Sequence, residues 1–267
     1  MLAETTSFTL DGIAARMIRV EVDVHRGLPN FQIVGLPDAA VREARERVRA
    51  ATVNCGFDFP LQRITASLAP ADLRKAGPAM DLALATALLG AAGDLKIEPL
   101  AGWSLVGELA LDGSVRPVRG ALAMAEEARE QGRRGVIVPT ANGPEAALAE
   151  GITVLTIDNF GELASLQRGE IPGRLAIPAV PGGSDEMPDL ADLRGQGHLR
   201  AAVEISAAGG HGLLMIGPPG AGKSLAARRL PSVLPPLAGE EVLEVARIAS
   251  ACGIGDGRIS STRPFRA

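Results

Sequence analysis

In the segment IRVEVDVH, 18–25, the apolar residues Ile18, Val20, Val22 and Val24 alternate with Arg19, Glu21, Asp23 and His25. A period of two puts each set on its own face of an extended chain, which predicts a half-buried strand. The turn-rich RGLPN follows, and then a second apolar run, FQIVG, at 31–35. Beyond Pro37 and Asp38 the period lengthens. Val41, Ala44, Val48, Ala51 and Cys55 recur at spacings of three and four, drawing one stripe down a helix that Gly56 stops. A strand at 63–68, the loop APADLRKAGP and a helix from Ala79 to about Ala92 come next. The stretch from Leu82 to Gly93, flanked by Asp81 and Asp94, is too short to cross a bilayer and reads as a buried helix. WSLVGEL and SVRPV, joined through Asp112-Gly113, read as a hairpin.

From Gly120 onward helix and strand alternate: helix 121–131, strand 135–139, short helix 145–150, strand 152–157 and helix 159–168. An antiparallel front and a βαβ-like back make 1–168 a mixed α/β domain. The stretch 169–188, GEIPGRLAIPAVPGGSDEMP, is rich in Pro and Gly without periodicity and reads as a linker. A helix at 196–208 and an apolar strand GLLMI at 212–216 then open a second domain, 189–267.

The 267 residues are 46% hydrophobic and 22% charged, with 3% aromatics, one Trp and no Tyr. The cores must therefore be aliphatic. A net charge of -4 argues against attraction of the whole surface to nucleic acid, though a local patch could still bind. Cys55 and Cys252 lie far apart without metal-ligand companions, and the N-terminus MLAETTSFTLDG has no signal-peptide pattern. A reduced, cytoplasmic protein without membrane attachment is expected.

The second domain carries GPPGAGKS: Gly217, Pro218, Pro219, Gly220, Ala221, Gly222, Lys223 and Ser224. This fits the pattern G-x-x-x-x-G-K-S, between an apolar run and the helix KSLAARRL. Glycines let successive backbone N–H groups turn inward around a phosphate, and the helix start adds its positive dipole end. The expected ligand is ATP with Mg²⁺, Lys223 reaching the β- and γ-phosphates and the Ser224 hydroxyl ligating the metal.

Hydrolysis needs more than this loop. A P-loop ATPase also requires an acid at the end of a second apolar strand. After Ser224, Glu240, Glu241 and Glu244 sit in a run with helical spacing, and Asp256 lies between glycines in GIGDGR. Neither is a strand ending in paired acids. The P-loop domain is expected to be incomplete, truncated before that strand, and no catalytic residue for hydrolysis is assigned.

DLADLRGQGHLRAAVEISAAGGHGLLMIGPPGAGKS (189–224) resembles the start of the AAA+ module in magnesium-chelatase-like ATPases of the ComM/YifB type. VEVDVHRGLPNFQIVGLPDAAVREARERVRAA (20–51), APADLRKAGPAMDLALA, VGELALDGSVRPVRG and the terminal RPFRA continue the likeness. The resemblance implies a Lon-protease-like N-terminal domain ahead of the AAA+ domain, an α/β protein throughout. It also implies assembly into homo-hexamers, and for ComM-type members a DNA helicase that drives branch migration in natural transformation. It places Gly195-Gln196 near the adenine. It also puts Ala79 of GPAM where Lon-type proteases carry the nucleophilic Ser, and the following helix GALAMAEEARE has no Lys to act as base. Ser67 and Lys75 could imitate a dyad on paper, but protease activity is not expected. Two other readings stay open: a magnesium- or cobalt-chelatase-type subunit, and a non-catalytic interaction module.

The smaller signals read as structural. Arg42, Arg45, Arg47 and Arg49 are interleaved with Glu43 and Glu46, as on a solvated face with i,i+4 pairs such as Glu43–Arg47. No aromatic lies near them in sequence to stack on a base. His25, His198 and His211 lack metal spacing, Asp81 is expected to cap its helix, and Trp103 is expected in the core.

Overall fold

The computed structural model describes residues 1–179, 188–254 and 259–265. The central part of the expected linker, the candidate acid Asp256 and the last two residues of RPFRA lie outside the described residues. The described chain divides into two compact units, one of 1–179 with 246–254 and one of 188–245 with 259–265.

The first unit is built on β1 (Leu2–Asp11), β2 (Ala14–His25), β3 (Asn30–Val34) and β4 (Arg63–Ala69). They form one sheet in the order β1-β2-β4-β3, with β3 parallel to β4 and the other pairs antiparallel. The alternation in β2 does what its period demands: Ile18, Val20 and Val22 are fully buried and Val24 nearly so. Strand β1 has no such clean pattern. Its inward positions include Thr5, Ser7 and Thr9, polar groups made tolerable by hydrogen bonds to the carbonyls of Ala83, Ala79 and Ala76.

Helix α1 (Ala39–Asn54) begins at Asp38, whose Oδ1 accepts from the Val41 amide at 2.8 Å. Its stripe of Val41, Ala44, Val48 and Ala51 is buried in a core shared with β2, β4 and α2 (Asp81–Ala92). From Asp81 to Ala91 every residue of α2 is buried, as its all-round apolar sequence demands. Asp81 is not the cap. No side chain caps this helix, and the carboxylate turns inward to an ion pair, because an acid heading a buried helix must find a cation to stay ionised.

A second sheet, in the order β10-β9-β8-β5, joins β5 (Trp103–Leu105), β8 (Gly135–Pro139), β9 (Thr153–Ile157) and β10 (Arg174–Leu175). The predicted hairpin is thus only half right. Its turn survives between β6 (Glu108–Leu109) and β7 (Val115–Arg116), while Trp103–Leu105 pair with β8 instead. Trp103 is 7% exposed, a core residue as expected. Helix α3 (Ala121–Glu130) covers this sheet with Phe8, Val136 and Val138 in a second apolar cluster, and α4 (Gly143–Ala146) follows β8. The segment Phe160–Arg168 is a 3₁₀ helix closed by a capping box between Asn159 and Glu162. Arg174–Leu175, within the stretch read as linker, pair with β9 as an edge strand.

The second unit holds α5 (Gly197–Gly209), α6 (Lys223–Ala227), α7 (Leu230–Val233) and the first half of α8 (Glu240–Cys252). Its buried apolar cluster is Leu190, Leu193, Val203 and Ala226. The predicted strand at 212–216 is not paired: no neighbouring strand lies beside it among the described residues, so its backbone makes no ladder. The alternation persists in burial, with Leu213 and Met215 packed on the cluster and Leu214 and Ile216 at 82% and 88% exposure. No helix among the described residues is long and apolar enough to cross a membrane.

Candidate functional site: the glycine-rich loop and its surroundings

The loop Gly217–Ser224 links the unpaired apolar segment to α6. Gly220 and Gly222 both sit at φ +79, a left-handed conformation that side chains resist, and this lets the chain reverse twice within three residues. Among the described residues, the amides of Gly220 and Gly222 find no acceptor within the protein. Pro218 carries the carbonyl that receives the Ala221 amide at 3.3 Å, and Pro219 is exposed between them. Ala226, one turn into α6, is fully buried in the cluster with Leu190, Leu193 and Val203, which anchors the helix behind the loop.

The Lys223 ammonium folds back over the loop. Its Nζ donates to the carbonyls of Gly217 and Pro218, both at 2.8 Å. A cation held only by neutral carbonyl oxygens is not neutralised, so it remains available to an anion that displaces them. Ser224 is exposed at the second position of α6. Gln196, the residue before α5, donates from Nε2 to the Ala221 carbonyl at 3.0 Å, and a Cβ on Gly222 would lie 3.2 Å from that nitrogen. Gln196 itself adopts φ +50, so the turn before α5 is shaped to bring this side chain onto the loop. Arg229 fastens the start of the unit, donating to the Asp189 carbonyl at 3.0 Å and to Asp192 at 3.3 Å.

Glu240, Glu241 and Glu244 lie on α8, as their spacing indicates, and none ends a strand. Among the described residues no group of His, Cys, Asp and Glu is arranged to hold a metal ion.

The degenerate protease-like loop sits in the first unit. Ala79 is 6% exposed and its carbonyl receives the Gly107 amide at 2.9 Å. Lys75 is fully buried and its Nζ donates to the Pro70 carbonyl, while desolvation pushes its pKa down. No hydrogen bond joins Lys75 to Ser67, so the paper dyad is not made. Asp38, besides capping α1, accepts from the Gly77 amide at 3.1 Å and ties this loop to the helix start.

The arginine-rich face of α1 corrects two expectations. Arg47 pairs with Asp81, not Glu43, because the buried carboxylate offers a partner that water does not compete for. Aromatic rings do lie beside these arginines, brought from other elements. Arg49 stacks over Phe59 at 5.6 Å, and Phe59 meets Phe31 of β3 with ring centroids 6.3 Å apart.

A mixed α/β domain of the Lon-protease type followed by part of a P-loop NTPase is the class that this fold and loop define. Two family models match, "Subunit ChlI of Mg-chelatase" over residues 20–142 and "Magnesium chelatase, subunit ChlI" over 189–267. Among curated relatives, an uncharacterized protein of Mycobacterium tuberculosis is 44% identical, covering 100% of this chain and 53% of its own. YifB of Escherichia coli is 43% identical over 96% of this chain and 51% of its own. The competence protein ComM of Haemophilus influenzae is 37% identical over 90% and 48%. The chain spans about half the length of the relatives it matches. It belongs to the magnesium-chelatase-like family of the ComM and YifB type.

Proposed function

We propose that this chain carries the nucleotide-gripping part of an AAA+ ATPase, binding ATP with Mg²⁺ through Gly217, Pro218, Pro219, Gly220, Ala221, Gly222, Lys223 and Ser224. The observation that carries the reading is the Lys223 ammonium, held by two neutral carbonyls on a loop whose Gly220 and Gly222 amides find no acceptor among the described residues. The donors present fit a polyphosphate: a cation held only by neutral carbonyls, amides that find no acceptor among the described residues, and a helix start. Lys223 would leave the Gly217 and Pro218 carbonyls to meet phosphate oxygens, and Ser224 would offer its hydroxyl to the metal. Gln196, bonded to the Ala221 carbonyl, would set the loop's shape and stand beside the bound base. Bound Mg-ATP supplies the phosphoanhydride whose cleavage drives motors of this kind.

For the whole protein we propose a cytoplasmic, hexameric, ATP-driven motor that moves branched DNA during recombination. Likeness to a protein named for competence supports this reading. A second reading, ATP-driven metal insertion into a tetrapyrrole, is supported by the chelatase description of both matching family models. ATP turnover by the full-length hexamer separates them. Stimulation by branched DNA supports the first, and dependence on a porphyrin and a metal ion supports the second. Turnover that responds to neither contradicts both.

A further inference from the structure

Among the described residues strand β3 ends its sheet and pairs only with β4. In a parallel pair, alternate residues turn both backbone groups toward the neighbour. The Asn30 amide donates to the Gln62 carbonyl at 3.3 Å, so Asn30, Gln32 and Val34 face β4 and Phe31 and Ile33 face outward. The guanidinium of Arg45 donates to the Phe31 carbonyl at 3.3 Å. The outward amides of Phe31 and Ile33 and the Ile33 carbonyl have no partner among the described residues.

Proteins usually protect such an edge with a Lys, a Pro or a bulge within the strand. Asn30–Val34 carries none. Exposed apolar residues surround it instead: Leu28 at 88%, Leu36 at 57% and Leu61 at 72%. Two hollows, of about 300 Å³ and about 200 Å³, flank the edge and share Asn30, Phe31 and Arg45. Their charged lining residues are Arg42, Arg45, Arg49 and Glu46, a positive balance.

We propose that the outer edge of β3 docks an extended, acidic segment of a partner protein, which joins the sheet as a further strand. Backbone groups of the segment bond to Phe31 and Ile33, its alternate side chains enter the two hollows, and its carboxylates meet Arg42, Arg45 and Arg49. Arg45 gives up one exposed hydrogen bond to admit it. A nucleic-acid strand fits less well. Arg49 already covers a face of Phe59, and Phe59 and Phe31 meet at a tilt of 44°, which leaves no flat platform for a base. The outward amide and carbonyl pattern complements another backbone.

The test titrates the whole chain into a fluorescein-labelled peptide of alternating valine and glutamate, followed by fluorescence anisotropy. The controls are a valine–lysine peptide and a labelled oligothymidylate. Ile33→Pro removes an outward amide without touching the β3–β4 ladder, and a proline is tolerated there for that reason. The double variant Arg42→Glu/Arg45→Glu changes only exposed side chains and reads the charge requirement if the proline variant misfolds. The expected result is binding of the acidic peptide alone, weakened about tenfold or more by either variant. No binding, equal binding of the lysine peptide, or binding that neither folded variant weakens would overturn the proposal. So would oligothymidylate binding lost in the same variants, or self-association of the chain abolished by Ile33→Pro.

Discussion

Arg47 and Asp81 are 34 residues apart and meet in a two-pronged ion pair, Nε to Oδ2 at 2.6 Å and Nη2 to Oδ1 at 3.0 Å. Asp81 is 1% exposed, and its Oδ2 also accepts the Leu109 amide at 3.2 Å. The pair joins α1 to α2 and to β6. Truncation of Arg47 would leave a buried carboxylate without a counter-charge. Arg47→Ala is therefore expected to destabilise the fold by about 3–5 kcal/mol at neutral pH, measured by urea denaturation. A loss below about 1 kcal/mol would show that Asp81 does not depend on Arg47 as its counter-charge.

The same residue gives the stability a pH dependence. Desolvation pushes the Asp81 pKa up to about 6, and the Arg47 guanidinium and the Leu109 amide offset only part of that rise. A folded-state pKa above the unfolded value means the native state binds the proton more tightly. Asp81 thus contributes stability below pH ~4 that is lost as pH rises through about 6. Asp81→Asn should remove this component, so the difference in unfolding free energy between the two proteins should change across that window and level off above it. A difference independent of pH from 4 to 7 would contradict the assignment. The Arg47→Ala penalty should shrink over the same fall in pH, as the carboxyl takes up a proton.

Asp38 holds two elements at once, the α1 start through Val41 and the following loop through Gly77. Asp38→Ala is expected to cost about 1–2 kcal/mol, visible as a lowered melting temperature. Asp38→Asn keeps an acceptor for the Val41 amide and should recover part of that loss.

The Ala79 loop should be catalytically inert. With no hydroxyl at Ala79, and with the Lys75 amine directed to the Pro70 carbonyl, nothing there activates a nucleophile. A fluorophosphonate probe should leave the folded protein unlabelled and casein should not be cleaved. Labelling lost on Ser67→Ala would reverse this conclusion.

Much of the first unit was legible because its signals are local. The α1 stripe, the β2 alternation and the uniformly apolar α2 each report their own burial. Strand β1 was missed because Thr5, Ser7 and Thr9 occupy its inward face, and only hydrogen bonds to distant carbonyls make that burial tolerable. The destination of Asp81 was also hidden. A lone acid at the head of a wholly apolar helix does signal a buried partner, but spacing alone favoured Glu43 for Arg47. The aromatics beside Arg45 and Arg49 come from β3 and from the segment before β4, so a search along α1 could not reveal them. In the loop, residue types and their spacing were plain from the sequence. The resemblance placed Gly195-Gln196 only near the adenine, and the contact of Gln196 with Ala221 emerged with the fold. The predicted strand at 212–216 failed for want of a partner, since alternation signals a strand but hydrogen bonds make one.

The central claim is that the Gly217–Ser224 loop holds a nucleotide. Titration of Mg-ATP into the whole chain, followed by calorimetry, tests it most directly. Saturable binding is expected, weakened about a hundredfold or more by Lys223→Ala with no change in the circular dichroism of the protein. Equal binding by the wild type and Lys223→Ala, or none by the folded wild type, would contradict it.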